Sequence, residues 1–142
     1  MSDSTVTQLG CTSTAALACY AGALEIQGAL RRLQQTNNGQ PPNADATAIL
    51  NTAVALYGVR PHVNATGDSV LAQTQPDDPL GQVLIETLSA MGRGVWRRFK
   101  ICRDTECHAS YFDASKNVAK TWCAMQTCGS RNKMRRYRAR SV

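Results

Sequence analysis

Residues 100–140 read KICRDTECHASYFDASKNVAKTWCAMQTCGSRNKMRRYRAR. Four cysteines fall here as Cys102-x4-Cys107 and Cys123-x4-Cys128, with fifteen residues between the pairs. A tetrahedral ion needs four soft donors converging on one point, and each short-spaced pair can supply two thiolates from one local turn. The reading is a single structural zinc on Cys102, Cys107, Cys123 and Cys128. Four sulfurs close the tetrahedron and leave no open position for a reactive water. His108 adjoins Cys107 and is read as a spectator.

The same stretch predicts what surrounds the ion. Arg103-Asp104-Thr105-Glu106 is a polar turn suited to a metal knuckle, and Tyr111 to Asp113 reads as a short strand ending in a turn at Ser115. Cys123 and Cys128 are five residues apart, which is about 140° around a straight helix, so both cannot project from one regular helix. One is expected in the turn before a helix and the other in its first turns, as in a small treble clef. From Ser130 onward the wheel places Ser130, Met134 and Tyr137 on one stripe, expected to pack on the knuckle. Arg131, Arg135 and Arg138 flank that stripe on one side, with Lys133, Arg136 and Arg140 on the other. Both basic flanks are then expected to stay exposed, so that Arg131, Arg135 and Arg138 could be removed without loosening the finger.

Working back toward the N-terminus, residues 13–35 carry a helical pattern with two apolar stripes, one of Cys19, Ala23, Ile26, Leu30 and Leu33 and one of Leu17, Tyr20 and Leu24. A helix apolar on two sides is expected to pack between neighbours or against a partner chain. Cys11 and Cys19 have no partner at metal-like spacing, and Cys19 reads as a small core hydrophobe. TNNGQPP, residues 36–42, is a loop. A second helix follows over about 44–57, with Asn43 or Asp45 as cap and Gly58 as its stop. Residues 59–63 and 69–73 read as a hairpin, with His62 as a surface or edge residue. Asp77 or Asp78, followed by Pro79, starts a third helix whose buried stripe is Leu80, Val83, Leu84, Thr87, Leu88, Met91 and Val95. Trp96 and Phe99 are expected to form the joint with the zinc module. The fold expected is α+β and mostly helical: a helical domain with a small hairpin over 1–97, and a four-cysteine zinc module with a basic C-terminal helix over 98–142.

Charge divides the chain at the same place. Residues 1–92 hold three basic against seven acidic side chains, and residues 93–142 hold thirteen against three, for a total of +6. No acid follows Asp113. A merely soluble helix would mix both signs, so the cationic end is read as a polyanion-binding surface. The expected contacts are Arg131, Lys133, Arg135, Arg136, Arg138 and Arg140, together with Lys116 and Lys120. No apolar run is long enough to span a membrane, and residues 1–10 show no charged and apolar secretory pattern. A cytoplasmic, nucleoid-associated protein with reduced thiols is therefore expected.

These residues resemble the CGNR zinc-finger family. The resemblance rests on Cys102 and Cys107, then Phe112, Asp113 and Ser115, then Trp122, Cys123, Cys128, Gly129, Arg131, Lys133, Arg135, Tyr137 and Arg140. Ser130 stands where the name-giving motif has Asn, so this copy reads CGSR. The preceding residues resemble the family's companion ABATE domain in the order of their elements, without its N-terminal D-L-x-N-T-like segment. The resemblance implies a bacterial DNA-binding transcription regulator.

The function expected is accordingly a DNA-binding transcription regulator on duplex DNA. Its N-terminal domain would serve dimerisation or the sensing of a small-molecule effector. RNA binding through the same surface and a protein adaptor with an acidic partner are the alternatives. No Ser/His/Asp grouping, phosphate loop or open metal site is visible, so an enzyme is not expected and no catalytic residue is assigned.

Overall fold

The computed structural model describes residues 15–140, with the backbone alone for 15–19. Cys11 and the side chains of Leu17 and Cys19 therefore lie outside what is described. Helix α1 (Ala15–Asn37) and helix α2 (Ala44–Leu56) lead into a hairpin of β1 (Arg60–Val63) and β2 (Ser69–Ala72). Helix α3 (Pro79–Gly92) follows, then a single 3₁₀ turn at Trp96–Arg98. A second hairpin pairs β3 (Phe99–Ile101) with β4 (Ser110–Phe112), and the chain ends in helix α4 (Ser130–Arg140). Both hairpins are antiparallel, with His62 opposite Val70 in the first and Lys100 opposite Tyr111 in the second.

Local chemistry sets the ends of these helices. The Asn43 side chain accepts a hydrogen bond from the Ala46 N–H at 2.8 Å, and Asp78 accepts from the Leu80 N–H at 2.9 Å. Each satisfies a donor that the first helical turn leaves unpaired. Helix α2 stops where Gly58, at φ +61°, lets the Gly58 and Val59 N–H groups return to Ala55 and Val54. The Gly94 and Val95 N–H groups close α3 in the same way, on Met91 and Ala90. Both endings satisfy carbonyls that the last helical turn exposes. The helical stripe expected to run on to Val95 therefore ends a turn earlier. In the β1–β2 turn, the Asn64 side chain accepts from the Thr66 and Asp68 N–H groups.

Burial is concentrated where three helices and the first hairpin meet. Ile26, Leu50, Ala53, Val59 and Leu84 form the core, with Leu30, Leu33, Val54, Tyr57, Leu71, Leu80, Ile85, Leu88 and Met91 packed around it. Leu84 is fully enclosed, and removing such a side chain from water contributes about 1.5–3 kcal/mol. Only one of the two α1 stripes is used in this way. Tyr20 and Leu24, on the second stripe, are 62% and 49% exposed. Val83, expected in the α3 core, is 43% exposed, because Gly81, Leu84, Thr87 and Ala90 form that helix's buried line.

Amides and aromatics together join the helices to the second hairpin. The Asn37 amide donates to the Trp96 and Phe99 carbonyls, both at 2.8 Å. Asn38 donates to the Ile101 carbonyl and accepts from the Ile101 N–H at 3.1 Å, so its side chain extends the edge of β3. Trp96 stacks on Phe99 at 5.6 Å, and Phe99 meets Phe112 edge-on at 5.2 Å. The aromatic joint read from the sequence is present, and the two asparagines at the end of α1 give it direction.

Candidate metal centre and nucleic-acid interface

The strand β3 delivers Cys102, and the turn after it delivers Cys107. The turn is built on Asp104, whose carbonyl accepts the Cys107 N–H at 3.1 Å and whose carboxylate accepts the Glu106 N–H at 3.0 Å. The Cys102 N–H donates to the Ala109 carbonyl at 2.8 Å and closes the knuckle. Cys123 lies in a bend and Cys128 in the wider turn Met125–Gly129, which makes i→i+5 hydrogen bonds before α4 begins. That widened turn resolves the five-residue spacing, because it lets Cys128 face Cys123. Gly129 lets the chain pack closely there: a Cβ would lie 2.4 Å from the Met125 sulfur, which would have to move aside, and 3.2 Å from the Trp122 ring.

The four sulfurs lie within 4.8 Å of one another. Cys107 to Cys123 is 3.6 Å and Cys123 to Cys128 is 3.7 Å. A tetrahedron with zinc–sulfur bonds of about 2.3 Å has edges of about 3.8 Å. These distances are far beyond the roughly 2.05 Å of a disulfide, so the cysteines fit an ion and not a pair of cross-links. Burial pushes the Cys123 thiol up, and burial and the neighbouring sulfurs push Cys128 up to about 12. The Ala109 N–H, followed by the Cys123 and Cys128 sulfurs, pulls Cys107 the other way. Four thiolates this close need a cation to coexist, and the Cys123 N–H already aims at the Cys102 sulfur at 3.4 Å. Zinc bound by Cys102, Cys107, Cys123 and Cys128 is the structural cofactor of this module, one ion per chain.

Around the sulfurs the module is held by charge. Lys100 and Asp113 are both buried and pair at 2.8 Å. Asp113 also accepts from the Ser115 hydroxyl and N–H and from the Lys120 N–H. Burial alone would push its carboxyl up, but Lys100 and these donors hold it well below the usual carboxylate range. The loop from 113 to 120 is folded around this one carboxylate. Val118 sits there at φ +51°, an unfavourable conformation for a β-branched residue, and its carbonyl accepts the Lys100 ammonium. Nearby, the Tyr111 hydroxyl donates to the Lys120 carbonyl, and the Lys120 ammonium lies 5.5 Å from the Tyr111 ring centre. Burial, and then the Asp113 charge, push the Tyr111 phenol up to about 12.

The terminal helix is anchored differently from the wheel reading. Met134 and Tyr137 are 52% and 69% exposed, so they do not form the packed stripe expected of them. Arg131 and Arg135 do the anchoring. Arg135 pairs with Asp104 at 3.0 Å and donates to the Thr105 hydroxyl at 2.7 Å. Arg131 pairs with Glu106 at 2.9 Å and lies 3.5 Å from Asp104. The Glu106 N–H, opposed by burial and helped by Arg135 and Arg131, holds the Asp104 carboxyl below its ordinary value. The knuckle offers α4 the carboxylates of Asp104 and Glu106, and Arg131 and Arg135 reach them while Arg138 stays exposed. A triple alanine change at Arg131, Arg135 and Arg138 would therefore loosen the finger, contrary to the expectation from the wheel.

On the far side of α4, Lys133, Arg136 and Arg140 line a groove of about 380 Å³ with Trp122, Met125 and Tyr137. Lys133, Arg136, Arg138 and Arg140 make no ion pair among the described residues, and Lys116 is likewise exposed and unpaired. The turns at Asp104 and Asp113 are expected from the sequence, and what its reading misses is the role of the two carboxylates in them. Each lies two residues before a backbone N–H that it accepts, an Asx turn that a sequence can suggest, whereas their cationic partners are remote in sequence. His62 is exposed on β1. No helix among the described residues is long and apolar enough to cross a membrane.

Residues 98–141 match the family model of the CGNR zinc finger, and this segment is a CGNR zinc finger. The match covers the second hairpin, all four sulfurs and α4, and begins after the three helices of the N-terminal unit. No curated protein matches the chain.

Proposed function

We propose that the zinc finger is a DNA-binding module and that the chain is a transcription regulator acting on duplex DNA. The observation that carries this reading is the cationic face of α4. Lys133, Arg136 and Arg140 share a groove, Arg138 is exposed beside them, and no carboxylate lines the groove or pairs with them. Arg131 and Arg135 hold the helix on the knuckle while remaining about two-fifths exposed, so they can orient the face and still reach a phosphate at its edge. Lys116 and Lys120, exposed on the loop around Asp113, add two further cations to the finger. Phosphate neutralisation by such a row releases counterions and supplies affinity that falls steeply with salt. The N-terminal helical unit would serve effector sensing or join two chains, since two modules on two half-sites multiply a modest affinity.

Single-stranded nucleic acid is the second reading, because Tyr137 and Trp122 stand beside the three cations, the combination on which unpaired bases stack. One experiment separates the two. The zinc-loaded chain is titrated with a mixed-sequence duplex and with single strands of equal length, at two salt concentrations. Tighter, salt-sensitive duplex binding is the expected result. Preference for the single strand, lost in Tyr137→Ala, would replace the duplex reading. Binding to neither would make the basic helix a docking surface for an acidic protein.

A further inference from the structure

A second cationic site lies away from the α4 groove. The last turns of α1, the loop that follows it and the first knuckle enclose an open cleft of about 790 Å³, lined by Arg32, Gln35, Gln40, Arg103 and the backbone around Gly39. No carboxylate lines it. The three arginines in this region are used differently. Arg31 donates to the His108 carbonyl at 2.6 Å, and Arg103 donates to the Asn38 carbonyl, so both tie α1 to the knuckle. Arg32 has neither hydrogen bond nor ion pair among the described residues, and its Nε is sealed from solvent. A guanidinium carries five donors and keeps its charge at any physiological pH. The sealed Nε is out of a ligand's reach, but the two terminal nitrogens are neither bonded nor sealed, so they can take an acceptor from outside the chain.

We propose that this cleft binds a small oxyanion, the phosphate or carboxylate group of a free organic molecule, between Arg32 and Arg103. Two guanidiniums lining one cleft suit such a group, because Arg32 can offer parallel N–H donors to two oxygens and Arg103 the donors not used on Asn38. The amides of Gln35 and Gln40 stand at the rim for the uncharged part of the ligand. The volume is that of a small-molecule site and exceeds a bare phosphate, so the anion is one end of a larger ligand. Its position gives it a consequence. Arg32 belongs to α1 and Arg103 to the residue after the zinc ligand Cys102, so an anion bridging them fastens the helical unit to the finger. This inference stands apart from the DNA reading, since its site and its test do not use α4.

The zinc-loaded full chain, free of nucleic acid, is titrated calorimetrically with inorganic phosphate and then with succinate, at ionic strength held constant with chloride. Saturable binding of one anion per chain is expected for at least one of the two. Arg32→Gln and Arg103→Gln should each weaken it at least tenfold, with Arg60→Gln, on the exposed β1 strand, unchanged. Arg103 is exposed, so its variant decides the matter even where Arg32→Gln does not fold. A duplex added to the phosphate-loaded chain should leave the anion in place, whether or not the duplex itself binds. Absence of saturable binding by both anions would overturn the proposal, as would an affinity in both variants equal to that of the unsubstituted chain. Competitive displacement by the duplex would also overturn it, by assigning the cleft to DNA phosphates.

Discussion

The N-terminal helical unit and the zinc finger are both small, and they are closed by different forces. The helical unit buries Ile26, Leu50, Ala53, Val59 and Leu84 in one apolar cluster. In the finger the buried side chains are Lys100, Ile101, Cys102, Asp104, Asp113 and Cys128, of which Ile101 alone is a hydrocarbon. The finger therefore holds its shape with four sulfurs on an ion, a buried lysine–aspartate pair and an aspartate gripped by two arginines. A segment that must present cations on its surface has few positions left for apolar residues. Metal and paired charge close what a hydrocarbon core closes in the other half.

The contrast is broken most sharply at the metal. Cys123→Ser, or removal of zinc by a chelator, should unfold the finger, since zinc binding supplies roughly 10 kcal/mol or more in zinc-finger peptides. The helical signal of α1–α3 should survive. Zinc stoichiometry read alongside hydrogen exchange checks both halves, and simultaneous loss of protection throughout would show that the two units are one cooperative body.

Asp113→Ala comes next. It leaves the Lys100 ammonium buried with only carbonyls for company, and removing one member of a buried pair costs about 3–5 kcal/mol. Denaturant unfolding of the zinc-loaded protein measures it. Because the folded carboxyl lies below its unfolded value of about 3.9, the stability it contributes is full above that pH. It is lost only as the pH falls through the folded value. Protons reclaim the thiols before that, so an acid titration should release zinc first and leave the helical unit folded.

Leu84→Ala is the matching change in the other half. An enclosed leucine cut to alanine costs about 2–5 kcal/mol, and here zinc content should stay at one per chain. A variant that also lost zinc would show that the finger depends on the helical core. The smallest expected effect is at the helix cap: Asn43→Ala should cost about 1 kcal/mol, seen as a shift in thermal midpoint with no change in metal binding.

The same difference explains what could be read from sequence. In the helical unit, periodicity and capping chemistry are local, so the hairpin and the Gly58 stop were legible, and each cap was narrowed to two residues, Asn43 or Asp45 and Asp77 or Asp78. Gly94 ended α3 before Val95 because a left-handed glycine closes a helix whatever apolar pattern continues beyond it. In the finger, the cysteine spacing identified the ligands directly. The remaining interactions were hidden because they pair residues far apart: Lys100 with Asp113, Arg135 with Asp104, Asn38 with Ile101. A helical wheel treats arginine as solvent-facing and Met134 with Tyr137 as packing. It carries no information about what the opposite surface offers, and here that surface offers carboxylates.

The most direct test of the account is the salt dependence of duplex binding for the zinc-loaded chain and for Lys133→Gln/Arg136→Gln/Arg140→Gln. These three side chains line the outer groove of α4 and make no ion pair within the finger, so zinc content and thermal stability should be unchanged. The logarithmic salt slope should fall by roughly 3, about 0.9 for each phosphate that is no longer neutralised. An unchanged slope and affinity in a variant that keeps its zinc would contradict the assignment of this face to DNA.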